Sequence, residues 1–462
     1  MTLIKSISGI RGTIGGTVGE NLTPIDAVKF ASAYGTWIKQ QRNKEHYKVV
    51  VGRDARLSGD MIQNLVMNTL IGLGIHVIDL GLSTTPTVEV AVPMEHADGG
   101  IILTASHNPK QWNALKLLNA KGEFLNALEG AKILDIAESD TISFAEVNDL
   151  GKITKNQAYI DLHIDEVLNL SLVNKKAIED AKFKVVVDGV NSTGGIAIPL
   201  LLDRLGVHPV KLYCEPNGHF PHNPEPLKEH LTDLSKAVVK EHADFGIVVD
   251  PDVDRLAFVD EKGEMFGEEY TLVACADYVL SKTPGNTVSN MSSTRALKDI
   301  TEKHGGTYEA SAVGEVNVVE LMKKNNAVIG GEGNGGIIYP ELHYGRDALV
   351  GVALFLSLLA EKKIDVSKLR ASYPSYFMGK KKIELTPNLD VDAILKTMEQ
   401  KYNQYNVSTI DGVKIDFSTS WVHLRKSNTE PIIRIYTEAK SQLEADVLGD
   451  RIISEIKAIA NI

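Results

Sequence analysis

One pattern recurs three times along the chain and narrows what it can fold into: an apolar strand, a polar loop, a helix and a second strand. The first copy runs from 48–51 through the loop 52–59 and a helix over about 60–73 to a strand at 76–80. The second runs from 184–187 through 188–195 and a helix ending at Leu205 to a strand at 207–213. A weaker third runs from 285–289 through 292–295 and a helix ending at His304 to a strand at 307–310. Crossovers of this length join parallel strands and lay helices over both faces of a sheet, so three mixed or parallel α/β modules in tandem are expected. Ligands then gather at the carboxyl ends of the strands, where the polar loops lie. From about Tyr376 the rhythm changes. Strands at 380–385, 412–417, 421–424 and 432–437 outnumber the helices at 390–402 and 441–459, so a smaller C-terminal α+β domain with an antiparallel sheet is expected. The fold class is α/β, with domains over 1–155, 156–260, 261–372 and 373–462.

Composition removes several function classes. Lys and Arg total 49 against 60 Asp and Glu, a net charge of −11, which argues against nucleic acid or an anionic membrane surface as a partner. Two cysteines, Cys214 and Cys275, are too few for a disulfide framework and suit a reducing compartment. The longest apolar run, 348–360, is broken by Ser357 and bounded by Asp347 and Glu361; it is too short for a bilayer and reads as a buried core helix. With no apolar signal core at the start, a soluble cytoplasmic protein is expected.

The chemistry concentrates in five loops. In G-I-I-L-T-A-S-H-N-P, residues 100–109, a buried strand gives way to a tight polar turn that Pro109 keeps from continuing as a central strand. Ser106 is expected on an exposed elbow beside His107, with Lys116 a short way on, where its hydroxyl can act as a nucleophile or carry a phosphoryl group. A structural turn is the competing reading. Arg11, among glycines in 6–13, offers a phosphate fork. In D-P-D-V-D-R, Asp250, Asp252 and Asp254 alternate in a turn ending in Arg255, and three such carboxylates converge on one hard cation, with Mg²⁺ favoured. The glycine-rich run 330–336 presents Glu332 and Asn334 on an open backbone suited to sugar hydroxyls, though it also reads as a hinge. Arg425, Ser427, Asn428 and Thr429, with Arg434 beyond, make a donor-rich cradle for a phosphate dianion.

Taken in order, an Ile-Arg-Gly start, T-A-S-H-N-P, D-x-D-x-D-R, G-E-x-x-G and R-x-S-N-T-E-P, the chain resembles the α-D-phosphohexomutase family along its whole length. The resemblance implies four domains around a central cleft and interconversion of hexose 6-phosphates and 1-phosphates through a phosphoserine enzyme and a bisphosphate intermediate. It implies that Ser106 is phosphorylated and that Ser106, Asp250, Asp252 and Asp254 hold one Mg²⁺. Arg11, His107 and Lys116 would assist transfer, and Glu332 and Asn334 would read the sugar. Arg255, Arg425, Ser427, Asn428, Thr429 and Arg434 would bind the substrate. A hexose bisphosphate is the expected activator, and a monomer or homodimer the expected assembly. Departures from the family pattern bear on the sugar: Asn334 and Gly336 in the sugar loop, Ala114 near the serine loop, and Glu315 in the segment 313–317 that corresponds to a specificity loop. Glucosamine phosphate is the favoured substrate, with mannose or glucose phosphates the alternative. A Mg²⁺-dependent phosphatase using Asp250 as nucleophile and a non-catalytic sugar-phosphate binder are readings from other classes.

Overall fold

The computed structural model describes residues 2–6, 9–384, 390–426 and 432–460. Val49, Val50 and Val51 are β-branched and fully buried, as a strand covered on both faces requires. They sit in strand Tyr47–Arg53, an interior strand of a seven-stranded sheet. Part of that sheet runs in the order Trp112–Leu118, Gly99–Leu103, Tyr47–Arg53, Ile75–Leu82. The second sheet runs Leu256–Asp260, Phe245–Val249, Val185–Asp188, Val210–Leu212, and the third Gly336–Ile338, Ala327–Glu332, Asn286–Asn290, Tyr308–Ser311. All three share one plan: the first pair is antiparallel and the remaining pairs are parallel.

That shared plan decides where the chemistry goes. In each module the antiparallel pair is a hairpin leaving a buried strand, and its turn is one of the motif loops: the serine loop after Gly99–Leu103, the aspartate loop after Phe245–Val249 and the sugar loop after Ala327–Glu332. Gly335 shows how tightly these loops meet. Its φ is +86°, its carbonyl accepts from Leu256 N at 3.0 Å, and a Cβ there would run into the Leu256 backbone. The sugar loop therefore lies directly on the strand that leaves the aspartate loop.

Helix Ala348–Lys362 is buried from Ala348 through Ala360, so the apolar run is a core helix rather than a surface one. Phe355 on this helix stacks on Phe258 at 3.8 Å, inside one apolar cluster that joins the second and third modules. The C-terminal domain keeps its own core behind a five-stranded antiparallel sheet, ordered Phe377–Glu384, Ile432–Ala439, Trp421–Lys426, Val413–Asp416, Asn406–Ser408. The last of these, a short polar edge strand, carries no sequence signal. Among the described residues no helix is long and apolar enough to cross a membrane.

Candidate active site

Ser106 corrects one expectation: it is not on an exposed elbow but 4% exposed. The loop is folded inward by residues from elsewhere. Thr104 donates to Asp54 at 2.6 Å and its hydroxyl takes the Ser106 N–H at 2.9 Å, holding Ser106 at φ +48°. Arg56 then clamps the turn from below. Its guanidinium donates to the carbonyls of Ser106, Asn108, Pro109 and Trp112 at 2.5–2.9 Å and pairs with Asp54 at 3.0 Å, with both side chains fully buried. An arginine forks over several acceptors at once because its donors are planar and fixed. Sequence assigns Arg56 no role, since the serine-loop carbonyls it holds lie 50 to 56 residues away.

The Ser106 hydroxyl donates to Asp250 Oδ2 at 2.6 Å, and His107 Nδ1 stands 3.3 Å from Ser106 Oγ. Asp250, Asp252 and Asp254 are fully buried, and one oxygen from each lies within 4.8 Å of the others. Val253 at φ +64° turns the loop so that they converge. Burial and the neighbouring Asp252 and Asp254 push the Asp250 carboxyl up. Burial would push Asp252 up as well, but Lys116 Nζ at 2.7 Å and the Thr85 hydroxyl at 2.6 Å hold it below its usual range. Lys116 is itself buried, which disfavours its charge, and Asp252 and Asp254 more than compensate, raising its pKa. Asp252 Oδ1 and Asp254 Oδ1 have no hydrogen-bond partner among the described residues although both are buried. Orphaned carboxylate oxygens in a dry triad are what a hard cation with oxygen ligands would satisfy, so these residues fit Mg²⁺.

Arg346 ties this triad to the sugar loop. It donates to Asp254 Oδ2 at 2.6 Å, to Glu332 Oε2 at 2.7 Å and to Glu315 Oε2 at 3.1 Å. Glu315 also takes the Arg346 N–H at 2.9 Å, and burial pushes its carboxyl up to about 7 despite that guanidinium. Glu315 therefore faces a buried arginine, not the cleft; from the segment 313–317 it is Val313 that lies on the cleft wall. Arg346 went unassigned from sequence. The signal it gives is a cation next to the Asp347 cap of a largely apolar helix.

The expected sites meet around a cleft of about 1260 Å³. Arg11, His107 and Arg255 line one side, Glu332 and Asn334 the middle, and Arg425 and Arg434 the C-terminal side. Ser106, Lys116 and the three aspartates are not on its surface but just behind it. Arg11 donates to Asn108 Oδ1 at 2.9 Å, and burial lowers its pKa. Burial, then Arg255 and Arg11, hold His107 well below the usual histidine range. Arg255 pairs with Glu225 at 3.1 Å, which gives the rigid loop 217–226 a share in the cleft. Glu332 also accepts from Asn290 at 2.8 Å, and Asn334 Oδ1 takes the Gly336 N–H at 3.2 Å.

Arg425 and Arg434 are direct partners across the antiparallel pair Trp421–Lys426 and Ile432–Ala439, so both guanidiniums leave the same face. Like charges directly opposite each other are unfavourable unless something offsets them. Asp411 does so on one side, 2.8 Å from Arg425 Nε. Ser427, Asn428 and Thr429 lie outside the described residues.

Three α/β modules of one plan and an antiparallel C-terminal domain around a shared cleft form the architecture of phosphohexomutase structures. The chain matches, domain by domain, "Phosphoglucomutase/phosphomannomutase, alpha/beta/alpha domain I" over 3–143, domain II over 161–263, domain III over 267–376 and the C-terminal domain over 381–454. It is 36% identical over 440 residues to a phosphoglucomutase/phosphomannomutase of Thermococcus kodakarensis, covering 94% of this chain and 95% of that one. It is 31% identical over 462 residues to a phosphoglucosamine/phosphogalactosamine mutase of Sulfurisphaera tokodaii, covering 98% and 97%. The crystal structure of a phosphoglucomutase/phosphomannomutase family protein from Burkholderia thailandensis superposes with a TM-score of 0.83 at 25% identity, covering 98% of each chain. The chain belongs to the phosphoglucomutase/phosphomannomutase family, the α-D-phosphohexomutases, and is an enzyme of the phosphohexomutase type.

Proposed function

We propose that this enzyme moves a phosphoryl group between O1 and O6 of glucosamine phosphate by way of Ser106. The observation that carries the reading is the Ser106 hydroxyl on Asp250, in a triad with two orphaned oxygens, at the edge of a cleft whose far side bears paired arginines. Ser106, Asp250, Asp252 and Asp254 would hold Mg²⁺, which when bound supplies charge neutralisation for the phosphoryl group. The phosphorus–Oγ bond of phosphorylated Ser106 breaks as a bond forms to a sugar hydroxyl, giving a hexose bisphosphate; after reorientation the other phosphate returns to Oγ. His107, 3.3 Å from Oγ, is placed to hold the proton that this oxygen gains and loses, and the Lys116 ammonium and Arg11 offset negative charge nearby.

Glu332 and Asn334 meet the sugar hydroxyls. Arg255, Arg425 and Arg434, with Ser427, Asn428 and Thr429, grip the phosphate that is not moving. That grip addresses a dianion and little else, so it serves either end of the sugar. The low exposure of Ser106 also keeps water from the phosphoserine. A hexose bisphosphate serves as activator by restoring the phosphoserine. The modules divide near 155, 260 and 372, and the chain works in the cytoplasm as a monomer or homodimer.

The amino-sugar assignment draws support from the Sulfurisphaera relative, named for glucosamine and galactosamine phosphates. The Thermococcus relative favours a second reading, glucose or mannose phosphates. A coupled assay of glucosamine, mannose and glucose phosphates with bisphosphate activator decides between them, by the highest kcat/KM. Intact-mass measurement tests the serine: wild type should gain one phosphoryl group that Ser106→Ala lacks, together with turnover. Wild-type mutase activity in Ser106→Ala would overturn the role.

A further inference from the structure

A second cluster of ligating side chains lies outside the cleft, where the first three modules meet. His163 comes from helix Tyr159–Asn169, Asp347 caps helix Ala348–Lys362, and His343 sits on the loop before it. Both imidazoles turn Nε2 onto one oxygen, Asp347 Oδ2, at 2.9 Å and 3.3 Å. The other oxygen, Oδ1, is committed to the N–H groups of Leu349 and Val350. Behind His343, Nδ1 lies 3.3 Å from Glu89 Oε2, and behind His163, Nδ1 lies 3.0 Å from the Thr87 hydroxyl. His163 and Asp347 are fully buried and Glu89 is 1% exposed. Among the described residues neither Glu89 oxygen nor His343 Nδ1 completes a hydrogen bond. Gly345 is required here, because a Cβ at that position would occupy the space of the Glu89 carboxylate.

The protein's own groups leave part of this arrangement unsatisfied. Asp347 Oδ2 can accept from both Nε2–H groups, but His343 Nδ1 and the buried Glu89 carboxylate face each other without completing a hydrogen bond among the described residues. We propose that His163 Nε2, His343 Nε2 and Asp347 Oδ2 form a second cation site, taking a divalent d-block ion such as Zn²⁺. Two imidazoles and one carboxylate are the donor set such ions prefer over Mg²⁺. The nitrogen–oxygen separations of 2.9 Å and 3.3 Å suit ligands each about 2.0–2.1 Å from a shared metal. Glu89 and Thr87 then take the outer ring N–H groups, the arrangement that fixes metal-bound histidines. The ion joins His163 of the second module to His343 and Asp347 of the third, with both rings braced from behind by Thr87 and Glu89 of the first, and so staples the body of the enzyme rather than entering the reaction.

The test uses full-length protein stripped with chelator and returned to excess Mg²⁺, which occupies the aspartate loop, then titrated with Co²⁺ or Zn²⁺. Wild type and Asp252→Asn should each retain about one equivalent and show the visible absorption of low-coordinate Co²⁺. His163→Gln and His343→Gln should retain none, and Glu89→Gln should bind about 10–100-fold more weakly. Zn²⁺ should raise the melting temperature of wild type but not of the histidine variants. Failure of wild type to retain either ion, or equal retention by His343→Gln, overturns the site and leaves a proton-sharing network only. If the histidine variants do not fold, X-ray absorption at the zinc edge of wild type decides: two imidazole ligands support the site and none overturns it.

Discussion

The two walls of the cleft are built on opposite principles. The serine–aspartate wall is dry and tied down: Ser106, the three aspartates, Lys116 and Arg346 are buried, and most of their polar atoms are committed to one another. It stands on modules two of which share one apolar cluster. The arginine wall belongs to a domain with a core of its own, joined to the third module through polar contacts. Arg295 donates to the carbonyls of Ser418 and Ser420, Ser292 bonds His423 at 2.9 Å, Val313 N–H meets Asp411, and Tyr376 meets Asp299. Interfaces of this polar kind permit relative domain motion, whereas a continuous apolar core resists it. The lesson is a division of labour, in which the wall where bonds would change is fixed and the wall that would hold the spare phosphate is free to adjust.

The comparison breaks most severely at Arg56. Arg56→Ala leaves Asp54 as an uncompensated buried charge and frees four carbonyls of the serine loop, an expected loss of about 3–5 kcal/mol. Denaturant midpoints check the value; a loss under about 1 kcal/mol would show that the loop is held by other means.

On the other wall, acid should loosen what the serine wall keeps. Burial holds the His423 ring down to about 4, against an ordinary value of 6.5. It is neutral there, donating Nε2–H to the Asp411 carbonyl at 2.6 Å and accepting at Nδ1 from Ser292. Between pH 6.5 and about 4 the unfolded chain binds this proton and the folded one does not. Stability therefore falls as pH drops through that window and levels off below it, by at most about 3 kcal/mol. His423→Gln should flatten this limb relative to wild type in melting curves taken between pH 4 and 7; parallel curves would count against it.

The smallest effect is expected at Arg425. Arg425→Ala removes a charge-assisted contact of about 1.5–3 kcal/mol, so KM for both monophosphates should rise about 10–100-fold with kcat less affected. A rise for one monophosphate alone would mean that the arginine wall reads one end of the sugar.

Sequence reading reached the fold because strands and crossovers repeat on a scale that local pattern can carry. The helices expected at 60–73, up to 205 and up to 304 are Gly59–Gly72, Gly194–Arg204 and Ala296–Lys303. It reached the motif loops for the same reason, since the alternating aspartates and the Ser-His pair are local. It missed what depends on distance along the chain. Arg346 meets Asp254 across 92 residues, and Ser106 is buried by Asp250 across 144, so nothing near either residue announces the contact. Glu315 falls in the segment that the family resemblance assigns to a specificity loop; only the fold turns it inward, onto Arg346.

The common hairpin plan has a consequence for how such an enzyme can change. Each functional loop closes its own two-stranded turn at the same station of its own sheet, so each rests on strand pairings of its own. Preference for a different sugar can be written at Asn334, whose side chain bonds back within the turn, whereas Gly335 and Glu332 are bound to the aspartate module through Leu256 and Arg346, so recognition and chemistry are separately editable at one position and inherited together at its neighbours.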